Sequence, residues 1–174
     1  MKNSIKRFFA RVPFIKRFYH AWQLLLFQAY NMITYRDRQV FGNICIETDS
    51  SCNRKCLNCP VSFYPRPHKR MPDNVFKGII DQLAQKKYQG EITLHWYNEP
   101  LLDNRLADLI SLARSKCPKS YIYFATNGDF LNEGLFRSLL RAGLDYIFIS
   151  CYDDTISPKL KSFLNQHFQF VNNK

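Results

Sequence analysis

The chain has 174 residues, 46% of them hydrophobic and 22% charged, with a formal net charge of +11. That is long enough for one domain with a packed core and too apolar for global disorder. Six unevenly placed cysteines do not make a secreted disulfide scaffold, and no run of about 18 apolar residues marks a membrane-spanning helix.

The charge is concentrated at the start. Residues 1–42 hold eight Lys/Arg against one acid, Asp37, which leaves +7 of the +11. Residues 1–40 read as two short helices around Pro13, with Phe14, Ile15, Phe18, Tyr19, Trp22, Leu25 and Leu26 at helical spacing and basic residues between them. Such an arm fits three roles. It packs on the rest of the protein, or residues 1–30 lie on an anionic membrane surface, or it binds nucleic acid. Nucleic acid is the weakest of these, because apolar residues crowd the face that phosphates would need. Leu24–Phe27 is too short for the apolar centre of a signal peptide, and no small-residue cleavage site follows it. The default location is cytoplasmic, with a peripheral place on the inner membrane surface as the variant the arm suggests.

Residues 43–174 read as an α/β domain. Ile44–Thr48 is a short apolar strand, and a Cys- and Pro-rich loop follows it through Met71-Pro72. Asp73 is placed to cap a helix whose apolar face is Phe76, Ile79, Ile80 and Leu83, with Gly90 ending the turn after it. Glu91–Tyr97 is a second strand, followed by a helix using Leu106, Leu109, Ile110 and Ala113. Tyr121–Ala125 is a third strand. Asn132 caps a third helix with Phe136, Leu139 and Leu140 inward, closed at Gly143. Asp145–Ser150 is a fourth strand, and Ser157-Pro158 opens a last helix. From the second strand onward, strands and helices alternate at about 27-residue steps, the signature of βα units and a parallel sheet. The strands are apolar or aromatic almost throughout, as expected when helices cover one face and a core fills the other.

Three cysteines stand within eight residues in Ser51-Cys52-Asn53-Arg54-Lys55-Cys56-Leu57-Asn58-Cys59-Pro60. Clustered thiolates select zinc, Cu(I) or iron–sulfur centres. Structural zinc wants four ligands, and His68 is the available fourth. Three ligands around a cubane leave one iron open to a small molecule. Reduced thiols or a disulfide are the remaining readings. Cys45, Cys117 and Cys151 stand alone in apolar surroundings and read as small buried hydrophobes.

The cysteine loop resembles the signature of the radical SAM superfamily, and the resemblance continues in order along residues 43–160. Tyr97-Asn98-Glu99-Pro100 after the second strand is similar to the family's Gly-Gly-Glu-Pro segment. Thr126-Asn127-Gly128 follows the third strand, and Ile149-Ser150-Cys151-Tyr152-Asp153 ends the fourth. Met71-Pro72 also matches the usual layout. The resemblance implies a partial parallel (β/α) barrel of about four βα units, an incomplete TIM-like core preceded by the helical arm. It implies that Cys52, Cys56 and Cys59 hold a [4Fe–4S] cluster and that S-adenosylmethionine chelates the fourth iron. Glu99 and the backbone around Asn98 would face the methionine amino group, and Leu57 would contact the adenine through its backbone. Thr126, Asn127 and Ser150 would contact the ribose or the methionine carboxylate. Electron transfer from a donor would cleave S-adenosylmethionine to methionine and a 5′-deoxyadenosyl radical, which abstracts hydrogen from a substrate the sequence does not name.

Without the family, Glu99 is a surface acid beside a turn-forming proline, and Thr126, Asn127 and Ser150 are ordinary turn residues. The chain also departs from the pattern. Leu57 stands where an aromatic residue is common, and Tyr97 and Asn98 replace two glycines. The layout is most similar to members with a C-terminal SPASM extension, yet four strands stand where the family core has six. A second chain that completes the barrel, or a truncated non-catalytic iron–sulfur module serving as a partner subunit or membrane-surface protein, are the readings this leaves beside an enzyme.

Overall fold

The computed structural model describes residues 13–35, 41–57, 59–150, 158 and 160–165, with residues 13–18, 20 and 35 described by backbone only. The chain divides into two compact units, Met1–Phe41 and Gly42–Lys174.

In the first unit, α1 runs unbroken over Pro13–Tyr35. Pro13 occupies its first position, where the missing N–H has no helical partner to lose. The helix expected before Pro13 lies outside the described residues.

The second unit is built on four parallel strands in the order β1-β2-β3-β4: Asn43–Cys45, Glu91–Thr93, Tyr121–Thr126 and Tyr146–Ile149. The register pairs Ile44 with Ile92, Ile92 with Ile122, and Phe124 with Ile147. Between the strands lie α2 (Pro60–Phe63), α3 (Asp73–Gln85), a 3₁₀ turn (Pro100–Leu102), α4 (Leu106–Lys116) and α5 (Glu133–Arg141). This is the parallel sheet that the strand spacing predicts, consistent with the partial (β/α) barrel that the resemblance implies.

Period-two alternation decides which sheet face is covered. Ile92, Leu94, Ile122 and Phe124 are fully buried, together with Phe76 and Ile80 of α3, Ile110 and Ala113 of α4 and Leu139 of α5. The opposite face is not the filled core expected from the sequence. Tyr121, Tyr146 and Phe148 are exposed on it. At its lower end Asn43 Nδ2 donates to Glu91, Thr93 and the Tyr123 hydroxyl. A polar net stands there instead of an apolar one.

Several element boundaries differ from the sequence reading. The strands expected over 44–48 and 91–97 run only over Asn43–Cys45 and Glu91–Thr93, with one further main-chain bond each from Ile46 and Leu94. Asp73 is the first residue of α3, and Pro72 takes the cap position without a side-chain bond. Asn132 does cap α5, its side chain accepting from the Leu135 N–H at 3.0 Å. Lys87, at φ 51°, makes a left-handed turn directly after α3, and Gly90 ends the connection just before β2. Gly90 is needed for space, because a Cβ there would lie 2.3 Å from the Tyr88 hydroxyl. Leu140 is exposed rather than inward, and Ile79 and Leu83 are only half-buried. Cys117 is buried as expected, while Cys45 is exposed and directs Sγ to Asn43 Oδ1 at 3.2 Å. Cys151 and Ser157 lie outside the described residues; Pro158 and residues 160–165 are helical.

Candidate cofactor site

The C-terminal ends of the strands open into a cleft of ≈ 300 Å³, the position where parallel α/β folds place ligands. Cys52, Cys56 and Cys59 line it from one side, with Leu57 between them. Asn98 and Glu99 line it after β2, Thr126 and Asn127 at the end of β3, and Ser150 after β4. Every residue singled out for the cluster or the nucleoside therefore borders one cavity, although these positions are far apart in sequence.

The cysteine loop is fixed at both ends. Asp49 accepts from the Ser51 N–H at 2.8 Å and from the Ser51 hydroxyl, and Ser51 in turn accepts from the Glu99 N–H at 2.8 Å. At the far end, the Ser50 N–H donates to Lys69 O and the Met71 N–H to Thr48 O. Arg105 then binds Met71 O, Thr48 O and both Asp103 oxygens, which locks the loop exit to the start of α4. In the middle, Arg54 makes a two-pronged pair with Asp129, and Asn53 donates to the same carboxylate at 2.8 Å. Asn127 closes the circuit by donating to Asn53 Oδ1. The loop that carries the thiols is thus tied to the loop after β3.

Glu99 is buried, which removes the reading of a surface acid. Its carboxylate accepts from the Leu101 N–H, the Thr126 hydroxyl and the Asn127 N–H at 2.5–3.0 Å. Burial pushes its carboxyl above the usual range despite these donors. The Glu47–Arg66 ion pair holds the segment before it. Glu47 accepts from the Tyr97 N–H and Arg66 donates to Tyr97 O, so both main-chain groups of Tyr97 are clamped. Beside this clamp, Asn98 Nδ2 is buried with no partner, a donor group at the cleft wall.

His95 is the residue the sequence reading missed. It lines the cleft, and its Nδ1 accepts the Ala125 N–H at 3.0 Å. That bond takes the place of a ladder bond where β2 turns away, and it fixes the ring proton on Nε2. Burial pushes the imidazole below its ordinary value, so it stays neutral. The available signal was parity: Glu91, Thr93 and His95 fall on one sheet face.

Cys52, Cys56 and Cys59 are thiols rather than disulfides. Burial pushes the Cys52 thiol up, so metal binding must displace its proton. Among the described residues no three His, Cys, Asp or Glu side chains converge on one point that would hold a single ion. His68, the fourth donor that zinc would need, instead gives Nε2 to both Asp49 oxygens at 2.9 and 3.0 Å. Three thiols on one cleft, with His68 engaged elsewhere, suit a three-thiolate cluster better than a four-ligand zinc site. With the Asn98 donor beside them, the residues present fit a three-thiolate cluster carrying a polar organic ligand.

The model of the Radical SAM superfamily matches residues 46–163. The chain is 31% identical over 113 residues to the S-adenosyl-L-methionine-dependent 2-deoxy-scyllo-inosamine dehydrogenase of Niallia circulans, covering 64% of this chain and 45% of that protein. In structure it is similar to BtrN in complex with AdoMet and 2-DOIA, with a TM-score of 0.69 and 29% identity over 74% of this chain and 52% of that one. An open conformation of BtrN gives a TM-score of 0.62 and 29% identity over 70% and 55%. The chain spans about half the length of these relatives.

Proposed function

The chain belongs to the radical SAM superfamily, which uses a [4Fe–4S] cluster and S-adenosylmethionine, and from that premise we propose that it carries the cofactor-binding part of a radical enzyme. Cys52, Cys56 and Cys59 would hold the cluster. When bound, the pair of cofactors supplies reductive cleavage of S-adenosylmethionine and hydrogen abstraction from a substrate, driven by an external electron donor. The chain's own part is to bind, orient and shield. Asn98 and the main chain of the clamped Tyr97–Glu99 segment receive the methionine end, Thr126, Asn127 and Ser150 the ribose or carboxylate, and the Leu57 main chain the adenine. With its ring proton on Nε2, the neutral His95 offers the cleft a donor, so it would orient an oxygen or nitrogen acceptor rather than take a proton. The observation that carries this reading is the meeting of three thiols and five polar strand-end residues on one cleft.

Anaerobic reconstitution tests it. Expected are about four iron and four sulfide per chain, lost when all three cysteines become alanine. Dithionite and S-adenosylmethionine should then release 5′-deoxyadenosine. A cluster that forms without that release overturns the catalytic reading in favour of an iron–sulfur module. No cluster at all overturns both.

A further inference from the structure

The α1 helix presents its apolar residues on the wrong side for a helix that packs by that stripe. Trp22, Leu25, Leu26, Ala29 and Ile33 recur at i, i+3, i+4, i+7 and i+11, which is one stripe of an α-helix. Trp22, Leu25, Leu26 and Ile33 are 56, 60, 54 and 84% exposed. Asn31 stands nine residues from Trp22, on the opposite side at about 100° per residue, and is 1% exposed. The polar residue is covered while the apolar stripe is open. Leu24 and Phe27, beside Asn31, are 55 and 40% exposed, so the open apolar surface extends beyond the stripe.

Charge selects the occupant. The helix contains no acid, and residues 1–42 carry eight Lys/Arg against Asp37, with six of the eight in the segments at either end of α1. No described helix is long and apolar enough to cross a membrane. An apolar stripe bearing a tryptophan, set in a strongly basic segment, has the chemistry of a helix lying in the plane of an anionic lipid surface. A protein face would need acids to match the charge, whereas an anionic bilayer supplies both the negative surface and the apolar layer beneath it. We propose that α1 docks the protein on anionic phospholipid, with Trp22, Leu25, Leu26 and Ile33 entering the acyl boundary.

The test uses the full chain and sedimentation with phosphatidylcholine vesicles, with and without phosphatidylglycerol. Binding is expected only to vesicles containing phosphatidylglycerol, with a blue shift in emission that Trp22→Phe removes. At about 1 M salt, where the Debye length is about 3 Å, binding should fall at least about tenfold. The Leu25→Glu/Ile33→Glu variant should lose it by a similar factor. Both positions are open, so this variant should keep the wild-type cluster content, which serves as the folding control. Absent binding, equal binding to both vesicle types, or unchanged binding by the double variant overturns the proposal. A concentration-dependent dimer that the double variant abolishes, without vesicle binding, assigns the stripe to a second copy instead.

Discussion

The Thr126 hydroxyl donates to Glu99 Oε1 at 2.5 Å, with both side chains buried, so the end of β3 is joined to the segment after β2 at the cleft wall. The same hydroxyl accepts from the Gly128 N–H at 3.0 Å. Thr126→Val keeps the volume and removes both bonds. Loss of stability of about 1–3 kcal/mol is expected in urea unfolding. Binding of S-adenosylmethionine to the reconstituted protein should weaken as well, because Asn127 loses its neighbour's anchor.

Glu99 also sets a pH dependence. Burial raises its carboxyl above the usual range, so the folded state holds the proton more tightly than the unfolded one. Its contribution to stability is therefore greatest below the ordinary carboxylate pKa of about 4.3. It declines as pH rises through the raised value and is flat above it. Glu99→Gln should flatten that part of the curve of urea midpoint against pH. An unchanged slope in the variant would count against the assignment.

The Arg54–Asp129 pair acts in the opposite direction. The hydrogen bonds from Arg54 hold the Asp129 carboxyl below the usual range. Its stabilisation is complete above the unfolded carboxylate pKa and is lost as pH falls through the lowered one. Both side chains are about a quarter exposed, so Asp129→Asn should cost only about 1 kcal/mol. The sharper consequence is local. Without this tie the cysteine loop loosens, and the cysteines of the metal-free protein should react faster with iodoacetamide while the global unfolding midpoint moves little. Equal alkylation rates would show that the loop is held by its ends alone.

The elements and the cavity were legible to different degrees. The buried stripes of α3 and α4 follow from periodicity, because Phe76 and Ile80 share one face of α3, and Leu106, Leu109, Ile110 and Ala113 share one face of α4. The cysteine spacing and the strand-end triplets located the cleft. Strand ends were not legible. His95 side-chain bonding to Ala125 and the Trp96 N–H bond to Asn98 Oδ1 replace main-chain pairing after Leu94, and apolar pattern cannot distinguish the two. The supporting ion pairs were invisible for a related reason. Glu47 and Arg66, or Arg54 and Asp129, are charged residues that a single sequence reads as solvated, and only folding brings 19 or 75 positions together. Cys45 misled because an apolar neighbourhood in sequence became the open sheet face.

His95 supplies a fourth stability test. His95→Phe leaves the Ala125 N–H without its acceptor, at a cost of about 1–2 kcal/mol. His95→Asn offers a side-chain oxygen in the Nδ1 position and should recover part of that. Burial lowers the imidazole pKa, so the unfolded chain binds the proton more tightly. Stability contributed by the neutral ring is present above about 6.5 and is lost as pH falls from there through the lowered value. Neither variant should show that slope. A wild-type slope in His95→Asn would place the titrating group elsewhere.

Gly128, in the turn after β3, adopts φ +77°, and a Cβ there would lie 2.8 Å from a methyl of Leu160. The backbone therefore favours glycine, and a Cβ would in addition force the Leu160 side chain to shift, at the position where Thr126 and Asn127 meet the cleft. Gly128→Ala should destabilise by about 1–3 kcal/mol. The two causes separate in a double-mutant cycle. Leu160→Ala makes room but leaves the left-handed backbone strained, so the double variant should be less destabilised than the sum of the singles by about 0.5–2 kcal/mol. Strict additivity would assign the whole cost to the backbone. Gly128→Asn, which tolerates the left-handed conformation but not the Leu160 contact, completes the comparison. If it is as stable as wild type, the packing against Leu160 places no demand on this turn.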